Sequence, residues 1–281
     1  MNDQTTKGEA QLVTQAISRM LNEGEAGVLV TLMTLPEQES GELRIGSRLL
    51  AKGSGERVGT LGAAELDDEV ARHAPRFLLA RDDATSVKVE EFAPSLSQFH
   101  GVQLLFERIE AEPRLVIAGA GHVGASLARL AALVGYRVTL IDDRAEFLNR
   151  DLFGSPAEQG IDLVVAEQWA DAVREAIASG RGVSVAIVTR GHKQDEDCLR
   201  ATLAANPAYI GMIGSKRRTN IVLDKLREEG AYEEQLKKVR APIGLDIGAV
   251  SPEEVALAIL SEIVSERRGG SGAPLSNWRR E

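Results

Sequence analysis

Arg114-Leu115-Val116-Ile117-Ala118-Gly119-Ala120-Gly121-His122-Val123-Gly124 runs an apolar segment into a glycine turn and then into the start of a helical pattern. Each glycine has its own use in such a turn. The first permits the tight bend, the second lets a diphosphate approach the backbone, and the third lets the helix pack close to the strand. The amides at the helix start then face the anion. Gly119, Gly121, His122, Val123 and Gly124 are therefore candidate cofactor-binding residues, with His122 at the edge of the cradle. A second apolar segment, 137–141, ends in Asp142-Asp143-Arg144. Asp142 lies about 20 residues beyond the glycines, where a carboxylate accepts hydrogen bonds from ribose hydroxyls. Arg144 beside it weakens the preference for NAD over NADP that an acid alone would give. The loop argues for a dinucleotide-like ligand and leaves the chemistry open.

Outward from this stretch the pattern repeats. Apolar runs at 163–166, 183–189 and 209–213 alternate with helical patterns at 122–134, 170–179, 196–205 and 215–229. That is the rhythm of a parallel, doubly wound sheet. Ser251, Pro252 and Glu254 form a capping box that opens a last helix. The N-terminal part reads differently. A helix over 7–22 shows Val13, Ala16, Ile17 and Met20 at helical spacing. A strand at 28–34, a hairpin of 48–52 with 58–61 around Gly53-Ser54-Gly55, a helix over 63–73, and strands at 86–91 and 102–106 follow. The fold class is thus α/β. A C-terminal Rossmann-like parallel-sheet domain (113–268) is preceded by a smaller α+β domain (1–112), and a flexible tail spans 269–281.

Composition bounds the function. The chain has 281 residues, 33 basic against 42 acidic, for a net charge of −9. An acidic chain repels phosphate backbones, so nucleic acid is not an expected partner. One cysteine, Cys198, precludes an internal disulfide framework and multi-cysteine metal sites, and no metal site is expected. Cys198 reads as a small buried hydrophobe. No basic start leads into an apolar run, and the apolar stretch 115–135 is broken by His122, Ser126 and Arg129. The expected protein is soluble and cytoplasmic, without a membrane segment.

Three further loops carry candidate residues. Thr189-Arg190-Gly191-His192 follows a strand directly, where open α/β sheets bind ligands. Thr189 and His192 are candidate binding residues, and His192 is the one catalytic candidate. A plain surface histidine is the other reading. In Gly211-Met212-Ile213-Gly214-Ser215-Lys216-Arg217-Arg218, three cations stand at a helix start and oppose its dipole, which an anionic ligand would relieve. Gly214, Ser215, Lys216 and Arg217 are candidates there. In Pro242-Ile243-Gly244-Leu245-Asp246-Ile247-Gly248, Asp246 sits between apolar residues and is expected to be at least partly buried, orienting a ligand or bracing its loop.

Together these motifs resemble the XdhC/CoxI family, most strongly over 114–265. Gly59-Thr60-Leu61-Gly62 and Leu104-Leu105-Phe106-Glu107 extend the likeness to the family's smaller domain. The resemblance implies an accessory protein rather than an enzyme. Such a chaperone binds the molybdenum cofactor, as molybdopterin or its dinucleotide form. It supports sulfuration of the cofactor with a cysteine desulfurase and passes it to an apo molybdenum hydroxylase of the xanthine dehydrogenase type. Lys216 and Arg217 would neutralise the cofactor's phosphate, and a homodimer is a possible assembly. Family members commonly carry cysteines near the positions of Ala63-Ala64-Glu65 and Phe99-His100, which have none here. The alternatives are an NAD(P)-dependent oxidoreductase and a nucleotide-sensing module.

Overall fold

The computed structural model describes residues 2–35, 43–80, 82–150, 153–178 and 182–276. The chain divides into two compact units, 1–111 and 112–281.

The first unit opens with helix α1, Asn2–Asn22, and strand β1, Gly27–Thr34. Strands β2, Arg48–Lys52, and β3, Arg57–Thr60, form the expected hairpin. Helix α2, Ala64–Leu79, strand β4, Ala84–Lys88, the single turn α3, Val89–Phe92, and strand β5, Gln103–Ile109, complete it. The sheet is antiparallel, in the order β3-β2-β1-β5-β4. Val13 and Met20 of α1 cover Leu29 and Leu50 on one face. Leu66, Val70, Ala74 and Phe77 of α2 cover Val28, Val30, Leu104 and Phe106 on the other.

Two expectations are corrected here. Helix α2 passes the expected stop at His73 and runs through Pro75. Ala74 and Phe77 continue its buried face, and burial outweighs the one backbone hydrogen bond that proline removes. Arg108 Nη2 then donates to the carbonyls of Leu78 and Ala80 at 2.7 and 2.9 Å, closing the helix end. The strand expected over 86–91 stops at Lys88, where the Lys88 amide donates to Glu91 Oε1 at 3.1 Å and a helical turn begins.

The second unit contains strand β6, Arg114–Ala118, helix α4, His122–Leu133, and strand β7, Arg137–Asp142. Strand β8, Ile161–Val165, helix α5, Trp169–Ile177, strand β9, Val183–Ile187, and helix α6, His192–Ala205, follow. Then come strand β10, Tyr209–Met212, helix α7, Lys216–Glu228, the short helix α8, Glu233–Leu236, strand β11, Val239–Arg240, and helix α9, Pro252–Arg268. All pairings are parallel and the order is β8-β7-β6-β9-β10-β11. This is the doubly wound Rossmann order, 3-2-1-4-5-6 in sequence of strands. Helices α4 and α9 cover one face through Leu127, Ala131, Ile259 and Ile263. Helices α5, α6 and α7 cover the other through Ile177, Leu199 and Val222.

Helix α6 starts at His192, one turn before the expected 196, because Gly191 serves as its N-cap. The two-residue β11 and the four-residue α8 escaped the sequence reading; neither is long enough to repeat a hydrophobic period. The capping box of Ser251 and Glu254 stands as expected. Gly269, in the left-handed conformation, ends α9, and Ser265 Oγ donates to Gly270 O at 2.6 Å. Residues 277–281 of the expected tail, and Ser179 at the end of the expected helix, lie outside the described residues. Among the described residues no helix is long and apolar enough to cross a membrane.

Candidate functional site

Strand order reverses between β6 and β9, and the loops that follow these two strands meet at that point. Gly119 has φ +116°, and a Cβ there would lie 2.6 Å from Val188 O. A Cβ on Gly124 would lie 1.8 Å from Gly119 O. The first and third glycines thus allow contacts that no other residue permits. Gly121 differs: its φ is −66° and nothing lies within 4 Å of the place a Cβ would take. The space over Gly121 is open, at the N-terminus of α4, where the first amides lack intrahelical partners. His122 is exposed beside it.

Asp142, at the end of β7, is buried. Its Oδ2 accepts from the Ala120 amide at 2.7 Å and from Arg144 Nη2 at 3.0 Å. Its Oδ1 accepts from the Arg144 amide at 3.0 Å and Arg144 Nε at 2.8 Å. Four donors fill the acceptor capacity of a carboxylate. In this structure Asp142 braces the glycine loop, and the expected ribose contact finds its lone pairs taken. Burial pushes its pKa up, but Arg144 and the two amides outweigh burial and hold it below the ordinary value. The next residue, Asp143, pairs more loosely, at 3.4 Å with Arg190 and 3.8 Å with Arg144. Asp143, Arg144, Trp169 and Arg190 line one cleft with Gly119 and Gly121.

On the β9 side, buried Thr189 donates from Oγ1 to Asp195 Oδ1 at 2.5 Å. Arg218 Nε donates to Asp195 Oδ2 at 2.9 Å, and Nη2 contacts the same oxygen. Asp195 is fully buried, and burial is the main cause of its raised pKa, against the opposing pull of Thr189 and Arg218. This network ties the loop after β9, helix α6 and the start of α7 together. His192 is the first residue of α6 and is exposed. Among the described residues it has no hydrogen-bond partner to set its tautomer for catalysis.

At α7, Gly214 has φ +151°, and Ser215 Oγ caps the helix by accepting from the Arg218 amide at 3.3 Å. Lys216 and Arg217 are exposed, and among the described residues neither makes an ion pair. Of the three consecutive cations, only Arg218 is committed among the described residues.

Asp246 is exposed, contrary to the expected partial burial. Gly244 and Gly248 take positive φ and turn its loop outward. Glu262 of α9 does the bracing instead, accepting from the Gly244 amide at 2.8 Å and from Tyr209 Oη at 2.6 Å. Cys198 is buried, and burial together with Asp195 and Asp197 raises its thiol pKa strongly. In the N-terminal unit, Gln98 Nε2 donates to Glu65 Oε2 at 2.7 Å, so the loops near 63–65 and 98–100 lie against each other. Among the described residues no group of three or more His, Cys, Asp or Glu is placed to hold a metal.

Sequence reasoning missed Asp143, Trp169 and Arg190 as contributors, and it missed the pairing of Arg218 with Asp195. Trp169 carried a signal, an aromatic opening a helix directly after a strand next to β7. The Asp195–Arg218 pair carried none, since the two residues lie on different helices.

Residues 115–263 match the family described as the XdhC Rossmann domain. The chain belongs to the XdhC family. It is 31% identical over 243 residues to the uncharacterized protein YqeB of Escherichia coli K12, covering 82% of this chain and 42% of that one. It is 29% identical to a probable xanthine dehydrogenase subunit of Bacillus subtilis 168, over 59% of this chain and 46% of the relative. It is also 29% identical to the molybdenum cofactor insertion chaperone PaoD of Escherichia coli K12, over 55% and 40%. The chain thus spans less than half the length of these XdhC relatives. A solved structure from Bacillus halodurans, described as a xanthine dehydrogenase, shares the fold with a TM-score of 0.60. It is 20% identical and is matched over 91% of this chain and 66% of its own.

Proposed function

We propose that this XdhC protein is a cytoplasmic chaperone that binds the molybdenum cofactor and delivers it to a xanthine dehydrogenase-type hydroxylase. The observation that carries this reading is the open space over Gly121 in a turn that Gly119 and Gly124 build. Family membership and the likeness to a cofactor insertion chaperone support it. The residues present fit such a ligand. The open amides at the start of α4 take phosphate oxygens. Thr189 and Gly214 shape the neighbouring turns, and Lys216 and Arg217, which make no ion pair among the described residues, neutralise the anion. The cofactor supplies the molybdenum centre that the client enzyme uses. The protein's own task is to hold the pterin phosphate, shield it and release it. Release follows docking if the client binds the cofactor more tightly. The apo hydroxylase is the partner this reading requires; a cysteine desulfurase and a second copy of the chain are further partners it admits.

The test is to purify the protein from a host that makes the cofactor and identify released pterin and molybdenum. Near-stoichiometric pterin is the expected result. Pterin absent from a folded protein, with NAD(H) in its place, would favour the NAD(P)-dependent oxidoreductase or nucleotide-sensing reading, which the strand order also accommodates.

A further inference from the structure

One end of the cleft is not explained by phosphate binding. Beyond Gly119 and Gly121 the cleft reaches Arg144 and Trp169, the first residue of α5. Trp169 is half-buried. It packs in part against the apolar cluster under α5 and also lines the cleft. Arg144 is held flat. Its in-plane donors Nε and Nη2 are on Asp142, and its guanidinium carbon lies 3.8 Å from the centroid of the Phe147 ring. With one face covered and that edge occupied, the opposite face of the guanidinium remains for a ligand. Indole and guanidinium planes are the surfaces on which heteroaromatic bases stack.

The charges agree with this. Asp142 with Arg144, and Asp143 with Arg190, make this end of the cleft close to neutral. The uncommitted cations, Lys216 and Arg217, stand at α7 after a different strand. An uncharged nucleoside suits the neutral end, and a second phosphate on its ribose would find no unpaired cation there among the described residues. Asp143, whose ion-pair distances are long, keeps acceptor capacity for a ribose hydroxyl.

The geometry points to a nucleoside slot: Trp169 and Arg144 stack the base, Asp143 accepts from the ribose, and the diphosphate runs to the glycine loop. This rests on the cofactor-binding reading above and narrows it. The ligand is the dinucleotide form of the cofactor, with an unphosphorylated ribose, rather than the bare pterin phosphate.

The chain has two tryptophans. Replacing Trp278 by Phe leaves Trp169 as sole reporter. This protein is titrated with ADP, CDP, GDP, AMP, 2′,5′-ADP, pyrophosphate and dihydroneopterin while its fluorescence is read. At least one nucleoside diphosphate quenches Trp169 and binds tenfold or more tighter than pyrophosphate, and 2′,5′-ADP binds more weakly than AMP, from which it differs only by the 2′-phosphate. By titration calorimetry, which needs no tryptophan, Trp169→Ala removes the advantage over pyrophosphate and Trp169→Phe restores most of it, with both variants folded by circular dichroism. Equal binding of pyrophosphate, an advantage that survives Trp169→Ala, or quenching by dihydroneopterin alone overturns the slot. Pterin-loaded protein with no nucleotide preference removes the slot and leaves the chaperone reading. Nucleotide preference in a protein that never carries pterin does the reverse.

Discussion

Arg218 reaches from the first turn of α7 to the fully buried carboxylate of Asp195 in α6. A buried charge is tolerated only with a partner, and Thr189 supplies the second donor. The pair therefore fixes the spacing of the two helix starts that flank the ligand edge of β9 and β10.

Arg218→Ala leaves Asp195 buried and uncompensated, and should destabilise the fold by about 3 kcal/mol. The pH dependence has a definite sign. Asp195 binds its proton more tightly folded than unfolded, because burial raises its pKa. Stability from this group is present at low pH and falls as pH rises through the folded value. The deficit of Arg218→Ala is therefore largest near pH 7 and narrows on acidification, as urea melts across pH will show. A deficit that grows on acidification would contradict the assignment.

The opposite sign applies to Asp142. Its folded pKa lies below the ordinary 3.8, so its contribution is intact above that value and is lost as pH falls through the folded one. Asp142→Ala strands the buried Ala120 amide and should cost about 2 kcal/mol at pH 7. Hydrogen exchange at Ala120 should speed up, while exchange in α9 stays near the wild-type rate.

Two glycines of the loop, Gly121 and Gly124, should separate cleanly. Gly121→Leu keeps an allowed φ and enters open space, so the melting temperature should hold while ligand binding falls at least tenfold. Gly124→Ala drives a methyl into Gly119 O and should cost about 2–3 kcal/mol. Calorimetry with and without ligand distinguishes them. Unchanged affinity in Gly121→Leu would end the cradle assignment.

Lys216→Ala and Arg217→Ala remove charges with no partner among the described residues. Their melting temperature should match the wild type. Ligand affinity should drop, and its dependence on salt should become shallower, because fewer cations meet the phosphates. Titration at two salt concentrations measures both.

Cys198 should resist a thiol reagent in the folded protein, since it is buried and its pKa is raised. Labelling with Ellman's reagent should track the unfolding curve in urea. Rapid modification in native buffer would show that α6 opens on its own.

Much of the second unit was legible because its signals are local. The strand before Gly119, the glycine spacing and the box at Ser251 each lie within a few residues, and each appears where its chemistry demands. What was not legible depends on residues far apart in sequence. Asp142 looked free because its captor, Arg144, is just as easily read as a second ligand contact. Asp246 looked buried because its neighbours are apolar, and the bracing carboxylate proved to be Glu262 on another helix. The last part of α2 was not legible because the packing of Phe77, which carries the helix past Pro75, depends on strands far away in sequence.

The close approach of Gly119 to Val188 has a consequence in time as well as in space. Strand β6 comes first in the chain, but its turn is completed only when β9 arrives from far down the sequence. Parallel strands separated by long crossovers are joined late in folding. An unfinished chain therefore has glycines but no cradle, and on the chaperone reading proposed above only molecules whose sheet has closed can be loaded.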